Sequence, residues 1–226
     1  MSLVIDQTFG DLGPKQLIVC EGMGDVHLVR TLLEQNHINT CQIGCPGRTS
    51  VQGMGKEKIG AYLDAARTQD KLKGITLTRF LVIGDADESA ENAFAELCAQ
   101  LRYANLPVPS VPYVTENVTH EGNNLKIGTY IIPGNGKQGT LEHLLLEAVA
   151  DAKKECAEKF LGCIGRPANV SSNQLAKMRL SVIVGASCHK NPWASAAMML
   201  CEKNKPISFD SPSFVELLNA LKAFSE

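Results

Sequence analysis

Asp85 and Asp87 stand one residue apart just after a short apolar run, Phe80-Leu81-Val82-Ile83, with only Gly84 between. A run of this kind, partly β-branched and without polar alternation, forms a buried central strand. Side chains two apart on extended backbone point the same way, so both carboxylates are expected to project together from the strand's carboxyl end. Open α/β sheets bind their ligands at that end. Two carboxylates roughly 4 Å apart repel by about 4 kcal/mol at an effective dielectric near 20. A proton or a cation such as Mg²⁺ relieves that repulsion. The competing reading makes one Asp the cap of the next helix and leaves the other in solvent.

A second acidic group follows the earlier apolar run Leu17-Ile18-Val19-Cys20, which passes directly into Glu21-Gly22-Met23-Gly24-Asp25. The glycines permit a tight strand-to-helix turn. Parallel strands joined by crossover helices place such turns on one edge of a sheet. If the two strands are neighbours, Glu21, Asp25, Asp85 and Asp87 converge. Asp25 also suits a helix N-terminus, where the macrodipole favours an acid, and Glu142 has the same alternative.

The elements that must position these groups alternate in type. Val26, Val29, Leu32 and Leu33 give helical spacing, and Asn39 to Gly44 reads as a second strand. A glycine-rich loop from Cys45 to Gly55 carries Arg48, and Ile59, Tyr62, Leu63 and Ala66 face a second helix inward. Ser89 is an N-cap for a helix carrying Ala90, Phe94, Leu97, Cys98 and Leu101 and ending near Asn105, after which Pro107, Pro109 and Pro112 enforce a loop. Tyr113 to Pro133 reads as extended chain turning at Glu121-Gly122-Asn123-Asn124, and Ile127 to Ile132 is the fourth core strand. Gly134 to Gly139 leads into a helix from Leu141. After Asp151 the pattern is helical, with strand character only at Ser181 to Val184 and helices expected at 174–180, 192–201 and 211–224. The expected fold is therefore α/β, a mostly parallel sheet over residues 1–150 with a helical extension over 151–226.

Composition narrows the classes. The 226 residues are 44% hydrophobic with a net charge of −2, enough for a real core and without a global basic field. Any attraction for nucleic acid must then be local. No apolar run approaches the roughly 20 residues that span a bilayer, and Met1 to Leu12 lacks the pattern of a signal peptide. The 8 cysteines form no Cys-x-x-Cys pair, so a structural zinc site is not expected. Reduced thiols and a cytoplasmic location are the corresponding expectations. The 5 histidines show no His-Glu-x-x-His spacing, and no Gly-x-Ser-x-Gly elbow occurs.

A strand ending in Glu21-Gly22, an acid at Asp25, and a later strand ending in Asp85-x-Asp87 together resemble the toprim domain. That domain is shared by primases, topoisomerases, recombination-mediating proteins, OLD-family nucleases and small ribosomal-RNA maturases. The resemblance covers roughly residues 16–150. Lys126 to Pro133, Gly139 to Glu142 and the tail around Trp193 and Phe214 are similar to a group of stand-alone toprim-related proteins. The resemblance implies a Mg²⁺-dependent (or Mn²⁺-dependent) phosphodiester or nucleotidyl-transfer site. In it, Glu21 would act as general acid/base or ligand, Asp85 and Asp87 would hold the metal, and Asp25 would support them. Glu142 resembles a glutamate that completes a second metal site in OLD-type nucleases. The primase zinc module and the four-cysteine pattern of recombination mediators are missing.

Three functional readings follow. The leading one is a toprim-type nuclease acting on DNA or RNA. The second is a toprim fold kept for binding or regulation, with a protein partner or a second copy of the chain. The third is a nucleotide-sugar transferase, in which Asp-x-Asp binds a metal-diphosphate and Glu21 has no role. Gly134 to Gly139 is not a P-loop, lacking Gly-Lys followed by Ser or Thr. It still offers a phosphate cradle at a helix N-terminus, with Lys137 as a contact. Arg48, Lys56, Lys58, Lys126 and Lys190 are further cations available to phosphates, or plain surface charge.

Overall fold

The computed structural model describes residues 4–5, 15–38, 40–47, 55–72, 76–165, 169–187 and 207–226. Arg48, Lys190, Trp193 and the helix expected at 192–201 lie outside them. The strands are β1 (Val4–Ile5), β2 (Gln16–Cys20), β3 (Gln42–Gly44), β4 (Arg79–Asp85), β5 (Thr115–His120) and β6 (Asn123–Ile132). They form one sheet in the order β1-β3-β2-β4-β6-β5, parallel throughout except for β5, which pairs antiparallel with β6 at one edge. The stretch before Gly13-Pro14 supplies an edge strand, β1. The helices among the described residues are α1 (Met23–Gln35), α2 (Ile59–Leu72), α3 (Ala90–Tyr103), α4 (Leu141–Glu147), α5 (Asp151–Ile164), α6 (Ser172–Ser187) and α7 (Val215–Ser225). None is long and apolar enough to cross a membrane.

Both faces of the central strands are buried, which explains their unbroken apolar runs. Alternate residues feed two separate cores. Leu17, Val19, Phe80, Val82, Ile127 and Ile131 pack with α2 and α3 on one face. Ile18, Cys20, Leu81, Ile83, Tyr130 and Ile132 pack on the other with α1 and the elements after residue 140. Leu144, Ala157, Leu180, Leu217, Leu221 and Phe224 all belong to that second core. The helical region beyond Asp151 therefore completes one layer of the sandwich.

Ser181 to Val184 is a correction. These residues lie inside α6, not in a strand. Ala176, Leu180, Ile183 and Val184 are its buried residues, a spacing that matches one helical face. Register then decides where the acids go. β2 and β4 are adjacent and parallel with Cys20 opposite Ile83, so Glu21, just past the end of β2, comes beside Gly84 near the end of β4.

Candidate carboxylate centre

Glu21 leaves β2 and turns toward β4, where its Oε2 accepts a hydrogen bond from the Asp85 amide at 3.2 Å. The turn into α1 is closed by Gly22, whose amide donates to Asp25 Oδ2 at 3.0 Å. Asp25 is only 6% exposed, and its Oδ1 is buried without a hydrogen-bond partner. Gly24 leaves room for Leu141, whose Cδ2 would lie 2.7 Å from a Cβ at that position and would have to shift. The first turns of α1 and α4 can therefore approach closely. Asp85 uses this approach: its Oδ1 accepts from the Leu141 amide at 2.9 Å. Glu142, the next residue of α4, accepts from the Thr140 hydroxyl at 2.7 Å through Oε2.

Electrostatics show how closely these acids crowd. Burial raises the Asp85 carboxyl well above the ordinary range, and repulsion from Asp25, Glu21, Glu142 and Asp87 adds to it. Burial pushes Asp25 up to about 7, with further repulsion from Glu21 and Glu142, although the Gly22 amide pulls the other way. Glu21 is also raised, chiefly by burial, while the Asp85 amide and Lys56 oppose the shift. Such like-charge crowding in low dielectric costs stability unless a proton or a cation occupies the site.

Asp87 takes a different course from the expected one. Strict alternation stops at Asp85, and Asp87 adopts a left-handed backbone with φ 50°. Its amide and carbonyl pair in both directions with Gly139 at 2.8 Å. Its side chain then faces other partners: Lys56 Nζ donates to Oδ2 at 2.6 Å, and Asn173 Nδ2 donates to Oδ1 at 3.2 Å. The two acids of the Asp-x-Asp motif remain in electrostatic reach but do not project in parallel. Two clefts meet at Asp87. One of about 430 Å³ is lined by Glu21, Lys56, Glu57, Asp87 and Glu96. The other, about 290 Å³, is lined by Asp87, Gln138, His143, Ser172 and Asn173.

The donor set suits a hard cation: all oxygen, with one buried carboxylate oxygen unpartnered. Among the described residues, however, no group of three His, Cys, Asp or Glu side chains is arranged to hold a metal ion.

The structure thus brings Glu21, Asp25, Asp85 and Glu142 together, with Asp87 at their margin. It does not bring Lys137 to them, since that side chain pairs with Glu147 at 3.0 Å. The backbone donors of the 134–139 loop are occupied as well: Asn135 donates to Glu216, Gly136 to the Tyr113 hydroxyl and Gly139 to Asp87. Lys126 reaches the carbonyl of Ala223 at the opposite end of the sheet. Sequence reasoning left Lys56 as available to phosphates or plain surface charge and missed its bond to Asp87. It missed Asn173 entirely. His143 carried no motif either, yet its Nδ1 accepts the Thr140 amide at 3.1 Å and so holds the start of α4. Among the described residues Cys20, Cys41, Cys45, Cys98, Cys156 and Cys163 carry free thiols.

Comparison with known proteins gives one family and a distant structural likeness. The family described as "Protein of unknown function (DUF3226)" matches residues 15–225. No curated protein matches the chain. Two solved structures of the C-terminal region of the Xanthomonas campestris pv. campestris OLD protein, phased with mercury and with iodine, are similar over 94% of this chain and 96% of theirs. Their identities are 12% and 11%, with TM-scores of 0.41 and 0.42 respectively.

Proposed function

The chain belongs to the DUF3226 family, and we propose that it is a Mg²⁺-dependent (or Mn²⁺-dependent) enzyme that cleaves phosphodiesters of DNA or RNA. One observation carries this reading: Glu21, Asp25, Asp85 and Glu142 are gathered at adjacent strand ends and a facing helix start, around a buried carboxylate oxygen without a partner. Structural acids are paired or solvated. These are neither. The toprim resemblance of the same residues supports the reading independently of their geometry.

Asp25, Asp85 and Glu142 would hold the cation, with Asp87 as a further ligand from the cleft side. When bound, the cation supplies charge neutralisation and Lewis-acid polarisation at a phosphoryl oxygen. Glu21 lines the larger cleft and has a carboxyl raised by burial, which suits it to take a proton from an attacking water and return one to the leaving oxygen. The Asp85 amide fixes the orientation of that carboxylate. Asn173 and the Gly139 pairing hold Asp87 in place.

The test is incubation of the protein with plasmid, single-stranded DNA and structured RNA in Mg²⁺ or Mn²⁺. Metal-dependent cutting by the wild type, lost in Glu21→Ala and Asp85→Asn, is the expected result. No cutting of any polymer would leave the enzyme reading without support. A second reading is favoured by one specific contact, the Lys56–Asp87 pair at 2.6 Å, which neutralises part of the motif internally. On that reading the fold binds nucleic acid without cutting it, and the outcome is binding that is indifferent to metal.

A further inference from the structure

Lys56 is not placed as a surface lysine would be. Its side chain is 15% exposed and reaches inward from the turn after Gly55. Besides the 2.6 Å bond to Asp87 Oδ2, its ammonium donates to the backbone carbonyl of Asp85 at 3.0 Å. Glu96 of α3 stands 3.5 Å away on the solvent side. One ammonium therefore joins the Asp87 carboxylate to the backbone carbonyl of Asp85, in the cleft that Glu21 also lines.

An ammonium in this position is a cation where the resemblance calls for one. It brings a single charge to a region where Glu21, Asp25, Asp85, Asp87 and Glu142 repel one another. A divalent ion would neutralise more of that charge and accept several oxygens at once, which an ammonium with three donors cannot match. Lysine also suits exchange. Its charge rides on a flexible four-carbon stem, so it can leave a partner without any movement of backbone, unlike the planar fork of arginine.

We propose that Lys56 is the resident counter-cation of the carboxylate centre, bonded to Asp87 in the metal-free protein and displaced from it when a divalent cation binds. This rests on the reading of these acids as a cation site. Displacement does two things at once. It frees Asp87 Oδ2 for the incoming ion, and it releases a positive side chain into the 430 Å³ cleft, where a phosphate of the substrate would meet it. The substrate contact would thus become available only in the loaded protein. The empty centre would stay closed to phosphates.

The experiment uses the wild-type chain. Lysines are acetylated with a water-soluble ester at a series of Mg²⁺ and Mn²⁺ concentrations and quantified by mass spectrometry, with exposed Lys159 and Lys222 as internal references. Calorimetry under the same conditions gives the metal affinity. Lys56 is expected to react at least several-fold faster at saturating metal than without it, while the references stay unchanged. Lys56→Met is expected to bind the ion more tightly, because the competitor is gone. Metal binding that leaves Lys56 as protected as before, or that weakens in Lys56→Met, would overturn the exchange and leave the cation site standing. If neither wild type nor Lys56→Met takes up either ion, the cation site itself fails and the exchange falls with it.

Discussion

β4 begins with Arg79 and ends with Asp85, and the two ends of the sheet treat charge in opposite ways. At the amino end the cations meet backbone carbonyl acceptors. Arg79 donates to the carbonyls of Phe224 at 3.2 Å and Glu226 at 3.1 Å, and Lys126, paired with it in register, donates to Ala223. Both cations thus close the last turn of α7, where orphan carbonyls and the negative end of the helix dipole favour them. Arg67 does the same for α3, donating to Ala104 and Asn105, and pairs with Glu121. At the carboxyl end, like charges are stacked in a buried space. A fold selected for stability alone would not keep that arrangement, so the contrast separates what holds the sheet together from what the sheet presents.

The contrast breaks most sharply at Glu21. If the carboxyl end is a catalytic centre with Glu21 as its proton carrier, Glu21→Gln should lower the rate of Mg²⁺-dependent cleavage by about 10²- to 10⁴-fold. The same change should leave the fold intact. A cleavage assay beside a thermal melt reads both. Asp85→Asn should abolish the stabilisation that metal confers on the wild type, roughly 2.7 kcal/mol at an ion concentration about 100 times its Kd.

Asp25 gives the next largest effect, and its sign is fixed by linkage. Its carboxyl rises from an ordinary value near 3.8 to about 7 in the folded protein, so between those values the folded chain holds a proton that the unfolded chain has lost. That contribution is complete below about pH 4 and is lost as pH rises through about 7. Metal-free wild type should therefore be less stable at pH 8 than at pH 5, by an amount on the order of 2–4 kcal/mol if Asp25 acts alone. Asp25→Asn should make the profile shallower, with Asp85 and Glu21 supplying what remains, and be the more stable protein at pH 8. Urea titrations at the two pH values decide it, and an Asp25→Asn variant as pH-sensitive as wild type would refute the assignment.

At the amino end the expected signs reverse. Arg79→Met removes two hydrogen bonds to the end of α7 and should destabilise the protein by about 1–2 kcal/mol at any pH from 5 to 8. Metal affinity and cleavage per folded molecule should not change. A drop in metal affinity would mean that the two ends of the sheet are not independent.

How much of this was legible beforehand depends on the range of the forces involved. The core strands could be read because alternation and apolar runs are local, and Leu17 to Cys20 and Phe80 to Ile83 needed no knowledge of the rest. The meeting of Glu21 with Asp85 could be read because adjacent parallel strands fix their own register. Asp87 could not. Its left-handed backbone depends on pairing with Gly139, and its side chain is directed by Lys56 and by Asn173, 86 residues further on. Ser181 to Val184 misled for the opposite reason: the stretch Val182-Ile183-Val184 favours a strand locally, but only the longer spacing with Ala176 and Leu180 reveals the helix face.

His143 offers the smallest test and the one closest to the boundary between structure and site. Its Nδ1 accepts the Thr140 amide, so the ring proton belongs on Nε2, which faces Ser172 Oγ at 3.1 Å. Only the neutral imidazole can do both, and burial lowers its basicity in the folded state despite the opposing pull of Glu142. A histidine depressed in this way contributes stability that is complete above about pH 6.5 and fades as pH falls toward the lower folded value. His143→Ala should therefore cost about 0.5–1.5 kcal/mol at pH 8 and less at pH 5. Because His143 secures the start of α4, and α4 offers the Leu141 amide to Asp85, the variant should also weaken metal binding modestly. If metal affinity stays the same while stability falls, the start of α4 belongs with the scaffold of the amino end and not with the carboxylate centre it adjoins.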